Sequence, residues 1–300
     1  MRCSAAVPAA VVAGARRPRD SRQDAGATGM RHRHIASSMR LRGFIERLSR
    51  GVVVRRHLPR EFGSLPIYVS PEAGLRYWRR DLSSVDPMLL RMVRELVKPG
   101  HVVWDVGANL GLFTFSAAAL AGPSGHVLAV EPDLWLAQLL QRSAAGIRQR
   151  TAAPVSVLCA AVSETNGVGQ LSIAGRSRAT NHLVESDGST QTGGQRGLQN
   201  TLKVTLDFLL EHFPAPSVLK IDVEGSEAGV LRGASRLLQT ARPVIWCEVD
   251  PGNAKTVAEL LHASQYRIYP AALDPDKRTT LLTASWDTLA VPIDRDQKAA

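Results

Sequence analysis

The run His101-Val-Val-Trp-Asp105-Val-Gly107-Ala108-Asn109-Leu-Gly111 decides how this chain is read. Its apolar first half suits a buried strand. Glycines at 107 and 111 then interrupt it before Leu112-Phe-Thr-Phe-Ser-Ala-Ala-Ala-Leu-Ala121, which suits a helix. A strand, a glycine-bearing turn and a helix form the setting that a nucleotide-binding turn requires. Gly107 lets the backbone approach a ligand without a Cβ, and Gly111 lets the helix start pack closely on the strand. Asp105 at the strand end can hold an ammonium or a hydroxyl. That suits a cofactor with an amino-acid end rather than a pyrophosphate.

Two further runs extend this reading. Val127-Leu-Ala-Val-Glu131-Pro-Asp133 ends a second strand in an acid, 26 residues after Asp105. Glu131 is well placed to bind both hydroxyls of a ribose, while Asp133 suits the start of the helix at Leu134. Val218-Leu-Lys220-Ile-Asp222-Val-Glu224-Gly-Ser-Glu227 closes a later strand in Lys220, Asp222 and Glu224, which alternate to one face. Charged groups at the end of a buried strand are costly unless paired or functional. An internal ion pair of Lys220 with Asp222 or Glu224 is the structural alternative.

Taken in this order, Asp-Val-Gly-Ala-Asn-Leu-Gly, Glu-Pro-Asp and Leu-Lys-Ile-Asp-Val-Glu-Gly-Ser-Glu…Val-Leu-Arg-Gly-Ala resemble the FkbM family of methyltransferases. Pro243-Val-Ile-Trp-Cys-Glu-Val249 and Asp287-Thr-Leu-Ala-Val-Pro292 fit its later strands, so the likeness spans roughly residues 80–294. The resemblance implies a Rossmann-like class I sheet of seven mostly parallel strands, the last antiparallel, with helices on both faces. It also implies S-adenosylmethionine as methyl donor and a hydroxyl on a sugar or natural-product scaffold as acceptor. Carried over, Asp105, Gly107, Ala108, Asn109 and Gly111 line the methionine end and Glu131 holds the ribose. The run Asp222–Glu227 faces the transfer site, with Asp222 and Glu224 as candidate base or substrate-orienting acid and Glu227 behind them. With Glu248 these carboxylates could instead hold Mg²⁺ through oxygen ligands, a reading held second to a metal-free site. His182 is a further candidate base.

Outward from these runs, periodicity predicts alternating strands and helices: strands at 102–106, 126–131, 155–162, 218–223, 244–249, 266–270 and 288–293, helices at 112–121, 134–145 and 254–264, and a helix after 224. Asp86-Pro87 opens an earlier helix that Lys98-Pro-Gly100 stops. A hairpin is expected between 65–69 and 75–78, an amphipathic helix over 39–56, and a hairpin arm from 167. Residues 174–201 read as a long polar loop. The division is then a disordered arg-rich arm over 1–38, a helical and hairpin extension over 39–98, the methyltransferase domain over 99–294 and a disordered tail over 295–300.

The net charge of +10 belongs to the arm. Residues 1–60 hold fourteen arginines and three acids, a net of +11, and the remaining 240 residues hold 23 basic and 24 acidic side chains. A near-neutral body argues against a nucleic-acid partner, and the resemblance implies a small-molecule or glycan acceptor. Cys3, Cys159 and Cys247 are odd in number and far apart, which favours a reducing, cytoplasmic setting. Arginine outnumbers lysine 31 to 6, as in a GC-rich bacterial genome. No apolar stretch reaches membrane-spanning length. Three alternatives stay open: a dehydrogenase binding NAD, a nucleic-acid methyltransferase, and a non-catalytic binding protein on the same sheet. The first would normally carry G-x-G-x-x-G, and the second an Asn-Pro-Pro-Tyr-type run at the Asp222 strand.

Overall fold

The computed structural model describes residues 48–147, 151–185 and 194–296. The arm over 1–38 and the first half of the helix expected over 39–56 lie outside them. The end of that expected helix is instead extended: β1 (Val54–His57) pairs antiparallel with β2 (Pro66–Val69). The hairpin is therefore formed by 54–57 with 66–69, and Leu75–Trp78 is a 3-10 turn. Ser70-Pro71 makes the difference. The Ser70 hydroxyl accepts from Glu72 N and Pro71 opens a 3-10 turn, so the segment starts short helices where a tight strand turn was expected.

Helix α1 (Pro87–Leu96) begins as its sequence suggests, with the Asp86 carboxylate accepting from Leu89 N at 2.9 Å. There follow β3 (Val102–Val106), α2 (Leu112–Ala121), β4 (His126–Val130), α3 (Leu134–Ala145) and β5 (Val155–Leu158). Asp133 caps α3 through Trp135 N and Leu136 N. The third strand is shorter than 155–162, because Ala161–Val162 leaves the sheet as β6. The polar segment is loop only in part, and its residues 186–193 lie outside the described ones. β7 (Gly167–Ala174), β8 (His182–Leu183) and β9 (Gln195–Val204) join β6 in a four-stranded sheet ordered β6-β9-β7-β8. Polar and apolar residues are mixed on the strand β9, as in the run Leu198-Gln-Asn-Thr-Leu202, so no alternation announces it.

The chain continues through α4 (Leu206–His212), β10 (Val218–Ile221), α5 (Glu227–Arg232), α6 (Ser235–Thr240), β11 (Val244–Glu248), α7 (Ala254–Ala263), β12 (Tyr266–Pro270) and β13 (Asp287–Pro292). A short helix, α8 (Ile293–Asp296), follows, so Arg295 and Asp296 are helical although the tail was expected to be disordered from 295. The single helix expected after Glu224 is two. The break falls at Gly233, where a Cβ would meet the Ser163 carbonyl at 2.4 Å.

The seven-stranded sheet has the order β12-β13-β11-β10-β3-β4-β5. All neighbouring pairs are parallel except those of β13, which runs against both β11 and β12. This is the Rossmann-like class I architecture, and its strand order reverses between β3 and β10. Ligands in such sheets bind outside the carboxyl ends at that point. One buried cluster joins Phe62 and Ile67 of the extension to Leu112, Phe115 and Leu140, so the extension is part of the core beneath α2 and α3. A second cluster, with Leu219, Ile221, Val230 and Leu261, fills the opposite face. Among the described residues no helix is long and apolar enough to cross a membrane.

Candidate active site

The turn after β3 is held in a conformation that only its glycines tolerate easily. Gly107 has φ +78°, and a Cβ there would lie 1.8 Å from the Asp222 carbonyl oxygen. Gly111 has φ +83°, and its Cβ would lie 2.4 Å from Phe115 and 2.7 Å from Leu140. The first close approach brings the ends of β3 and β10 together at the switch point. Asn109 between them is also left-handed, at φ +52°.

A cleft opens at these strand ends. Of the residues singled out in the sequence, Gly107, Asn109, Glu131, Asp222 and Glu224 line it. Asp105, Ala108, Gly111 and Glu227 are not in its lining; they stand behind it. Asp105 is fully buried, with Oδ2 accepting from the Thr114 hydroxyl at 2.5 Å and Oδ1 3.3 Å from Lys220 Nζ. Lys220, also buried, donates to the Gly107 carbonyl at 3.1 Å and to Asp222 Oδ2 at 3.2 Å. The ion pair expected as a structural alternative is thus formed, and it ties the base of the turn to the carboxylate that faces the cleft. Burial alone would lower the Lys220 ammonium, but Asp222 and Asp105 outweigh it and hold its pKa above the usual lysine value.

Glu131 has a double engagement. Its Oε2 accepts from Asn109 N at 2.8 Å and its Oε1 from Asp133 N at 2.9 Å. Burial pushes its carboxyl up to about 8 against the pull of those two backbone donors. Glu224 sits at φ +53° beyond the end of β10, and burial, then Asp222 and Glu227, raise it to about 8. Glu227 is 2% exposed and both oxygens are used: Gly225 N donates at 2.7 Å and Asn253 Nδ2 at 2.8 Å. Its visible work is to fix the Gly225 turn. Glu248, paired in register with Asp287 at the end of β11, is likewise raised to about 8 by burial and then by Asp222. Among the described residues no group of three His, Cys, Asp or Glu side chains is arranged to hold a metal ion.

The other wall of the cleft comes from the segment expected to be a loop. Arg178, Asn181, His182 and Leu183 line it. Arg178 donates to Glu72 Oε1 at 2.9 Å and to Asp133 Oδ2 at 2.5 Å, and Asn181 Nδ2 reaches the same Asp133 oxygen at 2.7 Å. Glu72, 6% exposed, also takes Arg196 at 2.6 Å and Gly51 N at 2.9 Å. Burial would raise Glu72, but these hydrogen bonds carry it below its ordinary value. Arg178 and Asn181 were missed by sequence reasoning. The one available signal was a charged residue beside the Asn-His pair in a segment too long for a connector. His182, named from the sequence, has Nδ1 3.3 Å from the Thr180 carbonyl oxygen and lines the cleft.

A left-handed glycine turn at the switch point, an acid at the end of the neighbouring strand and a carboxylate–lysine pair across from them define a class I methyltransferase. The Methyltransferase FkbM domain model matches residues 105–268, more than half of the chain, and the protein belongs to the FkbM methyltransferase family. The hexuronic acid methyltransferase AglP of Haloferax volcanii is 29% identical over 207 residues, covering 67% of this chain and 77% of that protein. Among solved structures, Methyltransferase FkbM from Methylobacillus flagellatus aligns at 16% identity and a TM-score of 0.39, over 67% of this chain and 49% of that one. This chain therefore spans about half the length of that structure. A SAM-dependent O-methyltransferase from Thermotoga maritima aligns at 14% identity and a TM-score of 0.36, over 67% and 62% of the two chains.

Proposed function

We propose that the protein transfers a methyl group from S-adenosylmethionine to an oxygen of a sugar acceptor. The observation that carries this reading is the single cleft in which Gly107, Asn109 and Glu131 face Asp222 and Glu224. Asn109 Oδ1 is buried without a hydrogen-bond partner, an acceptor that a bound ligand would satisfy. The missing Cβ at Gly107 leaves the backbone open to close approach. These features fit a donor with an amino-acid end and a ribose. When bound, S-adenosylmethionine supplies a methyl group on a sulfonium, already joined to a good leaving group.

The chain's own task is alignment, exclusion of water and management of one proton. Glu131 holds the ribose hydroxyls and, through Asn109 N, the turn itself. Ala108 and Gly111 shape that turn, and Asp105 acts on it through Lys220. Asp222, 30% exposed and braced by Lys220, takes the proton of the acceptor hydroxyl as its oxygen bonds to the methyl carbon. Glu224, neutral below about pH 8, donates a hydrogen bond that orients the acceptor. Glu227 keeps the intervening turn in place, and no metal is required by this scheme. Support for a sugar comes from the relative that acts on a hexuronic acid. Unpaired Cys159 and Cys247 support work in a reducing, cytoplasmic setting, and the arginine-rich composition supports a bacterial source.

Isothermal titration with S-adenosylhomocysteine tests the donor site. Glu131→Ala removes two hydrogen bonds to the ribose, roughly 2 kcal/mol and so on the order of 30-fold in affinity. Wild-type affinity in that variant would overturn the donor assignment. Transfer of labelled methyl from S-adenosylmethionine to hexoses and hexuronates then tests the acceptor class.

A further inference from the structure

The cleft does not end at the transfer carboxylates. Leu183 and Ser226 line it and also line a second, solvent-open cavity, which runs on between β9, α5 and the strand β8. This neighbour is made differently from the donor cleft. Its walls carry Glu164, Glu185, Lys203 and Arg232, and its floor is the Gly225–Ser226 turn. Two acids balance two bases, so the space selects for neither a strong anion nor a strong cation.

The four charged groups are paired loosely or at the rim. Arg232 reaches Glu164 at 3.4 Å, with side chains 46% and 55% exposed. Lys203 holds both oxygens of Glu185 at 2.8 and 3.0 Å from the opposite wall, and Glu185 is 59% exposed. Carboxylate lone pairs and guanidinium N–H groups therefore remain open to a ligand that offers hydroxyls in both roles. At the junction, Ser226 Oγ is buried and has no hydrogen-bond partner, although it can both give and take one. Ser226 also adjoins Gly225 and Glu224, so a group held there is continuous with one held at the transfer carboxylates.

We propose that this second cavity is an acceptor subsite that binds the neutral sugar unit next to the one being methylated. The enzyme then acts on an oligosaccharide or a glycan chain in preference to a free monosaccharide. This rests on the sugar-acceptor reading above. Glu164 and Arg232 grip the neighbouring unit and Ser226 marks the crossing between the two units. The serine hydroxyl, shielded from water, is satisfied only when the chain lies across it.

The test compares acceptors on the full chain: methyl glucuronide and methyl glucoside against trisaccharides that place each of these sugars beside neutral hexoses. The wild type is expected to use at least one trisaccharide with kcat/KM about tenfold above its monosaccharide, the worth of one well-made hydrogen bond to a charged group. In the double variant Glu164→Ala/Arg232→Ala that ratio falls to near one, with monosaccharide transfer and S-adenosylhomocysteine affinity unchanged. A ratio that survives the double variant, or a wild type indifferent to chain length, overturns the subsite and leaves the sugar reading standing. Transfer to no sugar of either length overturns both, while retained S-adenosylhomocysteine binding would keep the donor site.

Discussion

Replacing Gly107 by alanine should cost both stability and catalysis through one backbone contact. The new Cβ would lie 1.8 Å from the Asp222 carbonyl oxygen, and real Cβ contacts essentially never fall below 3.0 Å. The ends of β3 and β10 must therefore part by about 1.2 Å or more. That displacement carries Asp222 with it and stretches the bond from Lys220 to the Gly107 carbonyl. A 1 Å misplacement of a reacting group can cost about 100-fold in rate. The left-handed backbone adds on the order of 1–2 kcal/mol of destabilisation for any residue with a Cβ. Gly63 supplies the control: it is left-handed too, at φ +68°, but nothing lies closer to its Cβ position than Leu65 at 3.9 Å. Gly63→Ala should show the backbone strain alone, with methyl transfer intact. Gly107→Ala should melt lower than that control and lose roughly two orders of magnitude in single-turnover transfer to the best sugar acceptor. Transfer at the wild-type rate, with a melting point no lower than the Gly63→Ala control, would refute the close contact and the role built on it.

Lys220→Met leaves Asp105 and Asp222 without their shared cation, and urea titration should register a loss of about 3–5 kcal/mol. Adding Asp105→Asn to that variant should restore part of it. Arg178→Ala unties Glu72 from Asp133, both nearly inaccessible. Partial exposure of the arginine lowers the expected loss to about 2 kcal/mol, measured the same way, with weaker S-adenosylhomocysteine binding beside the loosened Asp133 segment. Stability should also depend on pH. Glu131, Glu224 and Glu248 rise from 4.5 to about 8 on folding, so the folded chain binds more protons than the unfolded one between those values. Their contribution is whole below about pH 4.5 and is lost as pH rises through 8. Calorimetric melting points should fall from pH 5 to pH 9, and Glu248→Gln should flatten that fall.

Much of this was legible because a parallel sheet writes its order into apolar runs. Val102–Val106, His126–Val130 and Val218–Ile221 are buried on both faces, and each ends where a glycine or an acid interrupts it. Of the β6–β9 sheet, β7 matches the arm expected from 167, while β9 left no such trace. In β9 the side chains of Arg196, Gln199 and Lys203 bond to groups on other elements, while Leu198 and Leu202 stay more than half exposed. A strand of this kind is fixed by distant partners and by pairing with β7, neither of which has a local period.

The protonation of the carboxylates was hidden for the same kind of reason. Asp222, Glu224 and Glu248 are visible as acids in the sequence, yet what raises Glu224 and Glu248 is burial and mutual proximity. For Glu248 the neighbours, Asp222 and Asp287, come from strands 26 or more residues away, brought level by the register of Ile221 with Cys247 and of Glu248 with Asp287. A carboxylate row of this sort cannot be fully ionised at neutral pH with Lys220 as its buried cation. At neutral pH the site therefore holds hydrogen-bond donors alongside its base, the combination that an acceptor hydroxyl needs if one group is to take its proton while another orients its oxygen. An acceptor presenting a carboxylate would meet Asp222 and Glu224, which line the cleft, less favourably than one presenting a hydroxyl, and the preference should grow as Glu224 ionises above about pH 8. Measuring the ratio of hydroxyl to carboxylate methylation on uronate-containing trisaccharides across pH 6.5–9 checks this, and a ratio that falls as pH rises would mean that the row does not face the acceptor.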